Sequence, residues 1–252
     1  MQKDLIIDSH LHCESLKGSH WDSPPQRLLK LMDEAGIRLS LIMTYTDYPS
    51  QNPGGREEIQ KACEKYPLRF RGFIRLDPLA ENACDILEDA IANRGFIGLK
   101  LHPVGFLLPP SHPAIVQLAN KCSQLKAPLL FHCGDEEFTL PFQFEPLARK
   151  CPDTTIILGH MGGYFHVEEA IELAEKYPNI ILETSATPRV ALIRHARERI
   201  GAERILFASD GPGCLPQLEL KKIQLCKFTT KDYKKITFLN ACEVFGAKRL
   251  GF

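Results

Sequence analysis

Asp4-Leu5-Ile6-Ile7-Asp8-Ser9-His10-Leu11-His12 is the first regular pattern in the chain. Residues 4–7 read as a short apolar strand. Successive side chains of a strand point to opposite faces. Asp8, His10 and His12 therefore share one face, with about 7 Å between neighbours. Where such a strand runs out into a loop, two imidazoles at that spacing can converge on one metal ion, for which neutral imidazole is a common ligand. A bare His-x-His also suits a surface turn, so its meaning depends on the rest of the chain.

Working outward, short apolar runs alternate with amphipathic stretches. Further strands are expected over residues 38–44, 70–76, 96–102, 128–133, 154–160, 179–184 and 204–210. Helices are expected over 24–35, 56–66, 81–93, 112–125, 142–150, 166–177, 188–200 and 215–226, with one or two more in the tail from 232 to 245. Pro24-Pro25 suits a helix start and Gly36 a helix end. Continuous apolar runs, unlike strict alternators, suit strands buried on both faces. The 252 residues match the ~250 of a typical eightfold barrel. The expected fold is therefore α/β: a single (β/α)8 TIM-like barrel over residues 1–252 with an extra C-terminal helix. A doubly wound open sheet is the alternative, but no glycine-rich dinucleotide fingerprint opens the chain.

Composition narrows the function classes. Hydrophobic residues make up 44% and charged residues 25%, with zero formal net charge, which suits a soluble globular protein. Nothing points to nucleic acid or an anionic membrane as a partner. No apolar run reaches the ~18 residues of a membrane span, and no cationic leader with a cleavage site opens the sequence. Nine scattered cysteines, an odd number, suggest reduced thiols in the cytoplasm rather than a disulfide framework. Cys13 and Cys133 each follow a candidate histidine and should point away from it, as packing residues.

The positions of the polar residues matter more. His10 and His12 end the first expected strand, Lys100 and His102 the fourth, His132 the fifth, His160 the sixth and Asp210 the eighth. In a barrel of this kind the active site lies at the C-terminal ends of the strands, so these residues would ring one mouth. Singly, each also fits a bland role: a hydrogen-bonded histidine, or Asp210-Gly211 as a turn. His20, His112, His166 and His195 fall in expected loops or helices and read as surface or packing residues.

The chain resembles the amidohydrolase superfamily, and most closely its amidohydrolase-related branch, which includes aminocarboxymuconate-semialdehyde decarboxylase. The matching pieces are Asp8-x-His10-x-His12, Gly98-Leu-Lys-Leu-His-Pro103, Phe131-His-Cys-Gly134, Leu158-Gly-His-Met-Gly-Gly163, Glu183-Thr-Ser-Ala186, Ala208-Ser-Asp-Gly211 and the tail Phe238-Leu-Asn-Ala-Cys-Glu-Val-Phe-Gly246. The resemblance implies a divalent metal, usually zinc, held as one ion by His10, His12, His132 and Asp210. It leaves His160 free beside the ion as an acid, base or electrostatic group. Lys100 then has two sensible states. It is carbamylated and bridges two ions, or it is set back to bind a substrate carboxylate or an acid; the second is favoured because this branch is often mononuclear.

Two reactions follow from that set. The first expectation is hydrolysis of a small cyclic or carboxylate-bearing substrate, with a metal-activated water and Asp210 as general base then acid. His160 would help to stabilise the oxyanion. The alternative is a non-oxidative decarboxylase or lyase acting on an unsaturated or aromatic acid, in which His160 protonates carbon or activates water. A binding protein that has lost catalysis would not need the complete set. Asp8 is expected either to support a ligand imidazole or to be a buried structural acid. Arg75 either anchors an anionic substrate or, as favoured, faces the helix layer and pairs with an acid. Loops 45–56, 103–113 and 134–141 set the substrate, with Phe106, Leu107, Leu108 and Phe138 as a candidate apolar wall. Such barrels commonly pair, so a homodimer is allowed for, although no stretch identifies an interface.

Overall fold

Eight short β-prone runs place eight strands side by side: β1 (Ile7–His12), β2 (Leu39–Met43), β3 (Phe70–Ile74), β4 (Phe96–Leu101), β5 (Leu129–Phe131), β6 (Ile156–Leu158), β7 (Ile180–Glu183) and β8 (Ile205–Leu206). The computed structural model describes residues 5–252. Asp4, the expected start of the first strand, lies outside the described residues. The strands pair in chain order, all parallel. The ring is completed between β1 and the segment after β8: Ser9 N donates to Phe207 O (3.1 Å), Asp210 N to His10 O (2.8 Å) and His12 N to Gly211 O (2.7 Å). The result is the expected barrel of parallel strands with helices between them.

Alternation sorts the side chains. Leu39, Leu41 and Met43 join Ile7, Phe73, Ile97, Leu130 and Leu206 in the inner core, while Ile42 packs outward under the helices. The tail, expected to add one or two helices, supplies short helices at Thr230–Lys234, Asn240–Phe245 and Ala247–Leu250. The last two plug the N-terminal end of the barrel, with the Phe245 ring 5.8 Å from that of Phe73. In a barrel of this kind the active site lies at the opposite mouth. The helix after β1, Pro25–Ala35, ends on Gly36 at φ 73°, a left-handed cap that costs glycine nothing. All nine cysteines are free, and Cys13 and Cys133 are buried packing residues. No helix among the described residues is long and apolar enough to cross a membrane.

Two expected strands are shorter than their apolar runs. β6 stops at Leu158 and turns into a 3-10 segment, Gly159–Gly162, with His160 at φ 59° and Met161 at φ 50°. β8 stops at Leu206, and Asp210 adopts φ 58°. The loop expected over 103–113 opens with a one-turn helix, Pro103–Phe106. Left-handed backbone at non-glycine residues costs about 1–3 kcal/mol each and persists where surrounding contacts enforce it.

Asp8 supplies such contacts. It is fully buried and accepts from Ser209 Oγ (2.6 Å), Ser209 N (2.9 Å) and His10 N (3.2 Å). It therefore fastens β1 to the segment carrying Asp210 and touches no imidazole, which makes it the structural acid of the two roles expected. Asp8→Ala leaves buried donors unsatisfied and should cost about 2–4 kcal/mol of stability, read from urea unfolding. An unchanged midpoint would remove this role.

Candidate metal centre

Five histidines reach the mouth from β1, β4, β5 and β6, and His10, His12 and His160 have the outer nitrogen tied down. His12 Nδ1 donates to the carbonyl of Thr44 (2.9 Å), and a carbonyl can only accept. His10 Nδ1 donates to Glu183 Oε1 (3.0 Å). His160 Nδ1 donates to Ser185 Oγ (2.8 Å), which in turn donates to Glu183 Oε1 (2.9 Å). His132 Nε2 lies 3.7 Å from Glu136 Oε2.

The inner nitrogens of His10, His12 and His160 are then lone pairs in the neutral rings, and those of His10 and His12 face a carboxylate. His12 Nε2 is 3.0 Å and His10 Nε2 3.6 Å from Asp210 Oδ1. His160 Nε2 is 3.1 Å from His132 Nδ1. Ligand atoms of His10, His160 and Asp210 lie within 4.8 Å of one another. Acceptors crowded in a buried space repel unless a cation or proton lies among them. Burial lowers the pKa of His10, His12 and His132, which disfavours the proton and leaves the rings as neutral ligands. The donor set fits a divalent cation, with outer partners of the kind that orient metal-bound histidines.

The structure thus gathers His10, His12, His160 and Asp210, with His132 adjoining through His160. Lys100 lines the cavity above these residues. It is 2% exposed, its Nζ is 3.1 Å from His10 Nε2, and burial, then the nearby Arg75 charge, brings its pKa down to about 7. Arg75 faces the mouth and not the helix layer, though it does pair with an acid, Asp47. Burial works against ionisation of Asp47, yet the His102 hydrogen bond (2.7 Å) and the Arg75 guanidinium hold its carboxyl at about 2. His102 also meets Glu136 Oε2 at 3.1 Å.

A cavity of about 500 Å3 opens over this centre, lined by His12, Lys100, His160 and Asp210 on one side and by Trp21 and Tyr45 on another. The expected apolar wall does not form. Phe106 packs on Tyr48 (5.3 Å between rings), Leu107 is 74% exposed, and neither Leu108 nor Phe138 lines the cavity. The other histidines stay away from the centre as expected: His112 caps a helix, and His166 and His195 pair with glutamates.

Sequence reasoning gave no role to Glu183, although a carboxylate closing the apolar run Ile180-Ile-Leu is a readable sign of a buried acid with a task. Asp47, Glu136, Trp21 and Tyr45 sit in loops that carry no periodic signal.

Comparison with known proteins bears on the reaction. The chain is 27% identical to gamma-resorcylate decarboxylase of Polaromonas sp. (strain JS666), over 88% of this chain and 87% of that protein. A solved dihydroxybenzoic acid decarboxylase from Polaromonas sp. JS666, with bound manganese and the inhibitor 2-nitroresorcinol, superposes with a TM-score of 0.79 at 21% identity, covering 99% of this chain and 100% of that one. So does 5-carboxyvanillate decarboxylase of Novosphingobium aromaticivorans, also with manganese, with a TM-score of 0.79 at 14% identity and 96% of each chain covered. Hydrolysis, the first expectation, is overturned by the relative at 27% identity, which is a decarboxylase. The physical reason is that the motifs report the ligands, and the same ligands serve both reactions. Zinc likewise finds no support, since the ion in both solved enzymes is manganese. Residues 7–247 match the family model described as amidohydrolase, and the chain belongs to the amidohydrolase family.

Proposed function

We propose that this protein is a metal-dependent, non-oxidative decarboxylase of a small aromatic acid. The whole chain forms the catalytic unit, and one divalent ion is held by His10, His12, His132 and Asp210. The observation that carries the reading is the set of outward-tethered imidazoles whose free nitrogens meet Asp210 beneath a cavity bearing Lys100 and Arg75. The decarboxylase relative supplies the reaction class.

When bound, the ion polarises an oxygen and orients what carries it. Lys100 attracts the substrate carboxylate. His160 is the acid: its Nδ1 is committed to Ser185, so Nε2 is the nitrogen that takes and gives a proton. That proton goes to the ring carbon bearing the carboxylate. The bond to the carboxylate then breaks, its electron pair stays on the ring, and carbon dioxide leaves. One proton is consumed and no water. Trp21 and Tyr45 wall off solvent on one side.

The test is turnover of hydroxybenzoates, 2,6-dihydroxybenzoate first, by manganese-loaded protein. The expected result is one carbon dioxide released per acid consumed. No release from any such acid, with cleavage of an amide or lactone instead, would overturn the reading. Glu183 offers a second check, because it holds His10, Ser185 and the His160 backbone N (3.0 Å) at once. Glu183→Gln should weaken manganese binding roughly 10–100-fold, measured by titration calorimetry, and an unchanged affinity would show that it does not support the centre.

A further inference from the structure

Glu14 lies two residues beyond His12, is 3% exposed and does not line the cavity. Its carboxylate accepts hydrogen bonds from the segment that follows β2. Tyr45 N (2.8 Å) and Thr46 N (2.7 Å) donate to Oε2. Thr46 Oγ1 (2.7 Å) and Asn52 Nδ2 (2.6 Å) donate to Oε1. Its main chain is tied elsewhere: Ser23 N donates to Glu14 O (2.7 Å) and Glu14 N to Ser23 O (3.2 Å). The backbone of this residue therefore closes the loop carrying Trp21, and its side chain fixes the loop carrying Tyr45.

The two rings meet over the cavity. They are stacked, 4.3 Å between centroids at 22°, and each stands edge-on to His12 (5.5 Å and 5.6 Å). Gly213 backs the indole so closely that a Cβ there would lie 2.1 Å from it. The wall is thus gripped from behind by Gly213 and fixed from beneath by Glu14. We infer that Glu14 is a positioning residue that locks Trp21 and Tyr45 into one stacked pair, and that this aromatic wall selects planar ring acids over puckered acids of equal charge. A planar ring can present its face or edge to such a pair, and a cyclohexane ring gains no quadrupolar contact. The inference rests on reading the site as one for aromatic acids.

Trp21 is the one tryptophan in the chain, so its fluorescence reports on the wall. The experiment compares benzoate with cyclohexanecarboxylate on manganese-loaded protein, by Trp21 quenching and by calorimetry. Wild type should favour benzoate by roughly two- to tenfold, the size of an aromatic pair contact. Glu14→Ala should bring the ratio near one with metal content unchanged. Glu14→Gln should restore it: one amide oxygen still accepts from Tyr45 N and Thr46 N, and the NH2 donates to the Thr46 hydroxyl and a flipped Asn52. A Glu14→Ala protein that keeps the wild-type ratio, or loses metal, overturns the inference. If that variant does not fold, Gly213→Ala and Trp21→Leu decide, because retention of the preference in both overturns it. Benzoate preference without carbon dioxide release would sink the decarboxylase reading and leave the wall standing. Carbon dioxide release with the preference intact in every variant would do the reverse.

Discussion

His10→Ala should remove both bound metal and turnover. His10 lies at the centre of the cluster: fully buried, 3.0 Å from Glu183, 3.1 Å from Lys100 and 3.6 Å from Asp210. Alanine deletes one of the proposed ligands and leaves the Glu183 carboxylate without the His10 donor it accepts. Lewis-acid stabilisation is worth several kcal/mol, so kcat/KM should fall by roughly a thousandfold or more, at about 1.4 kcal/mol per decade. Elemental analysis and carbon dioxide release on the same preparation check both halves. Full metal content with full activity would show that the ion, if bound, is held elsewhere. A metal-free but active variant would remove the metal from the mechanism.

His160→Asn should separate proton transfer from metal binding. Asparagine tolerates the left-handed backbone that His160 adopts at φ 59°, so the turn Gly159–Gly162 survives. Its short amide cannot carry a proton to carbon. Loss of a positioned general acid typically costs 10²–10⁴-fold, and kcat should fall by roughly that factor with metal content retained. A change confined to KM would make His160 a substrate contact and not the acid. Loss of the metal together with kcat would make it a ligand.

Much of this architecture was legible in the sequence, for identifiable reasons. Apolar runs of four to seven residues separated by amphipathic stretches left little room for any fold but a parallel barrel. Barrel geometry then turned scattered polar residues into one ring, and His10, His12, His160 and Asp210 do meet. The exact strand ends were less readable. Leu158-Gly-His and Phe207-Ala-Ser-Asp continue the apolar pattern in sequence, yet the chain leaves the sheet there because His160 and Asp210 adopt positive φ. Hydropathy carries no information on that choice.

Arg75 shows a second limit. Strand alternation alone does not say which face of an irregular strand looks inward, and the register shifts between Gly72 and Phe73. The partners that hold the histidines were harder still. Glu183 closes a buried strand and so left a trace; Asp47 and Glu136 lie in irregular segments where no period marks them, as does Glu14, which holds a loop. The reaction was the least legible feature, since hydrolysis and decarboxylation ask for the same imidazoles and the same carboxylate. What separates them here is the likeness to a decarboxylase, which no single motif of the chain carries.

The most direct test of the central claim is to run the reaction in D2O with manganese-loaded protein and 2,6-dihydroxybenzoate, and to analyse the product by mass spectrometry and NMR. Decarboxylation with solvent-derived proton delivery predicts 1,3-dihydroxybenzene carrying one deuterium at the carbon that lost its carboxylate, with an equal amount of carbon dioxide. Recovery of the acid unchanged, from a protein shown to bind both metal and substrate, would contradict it.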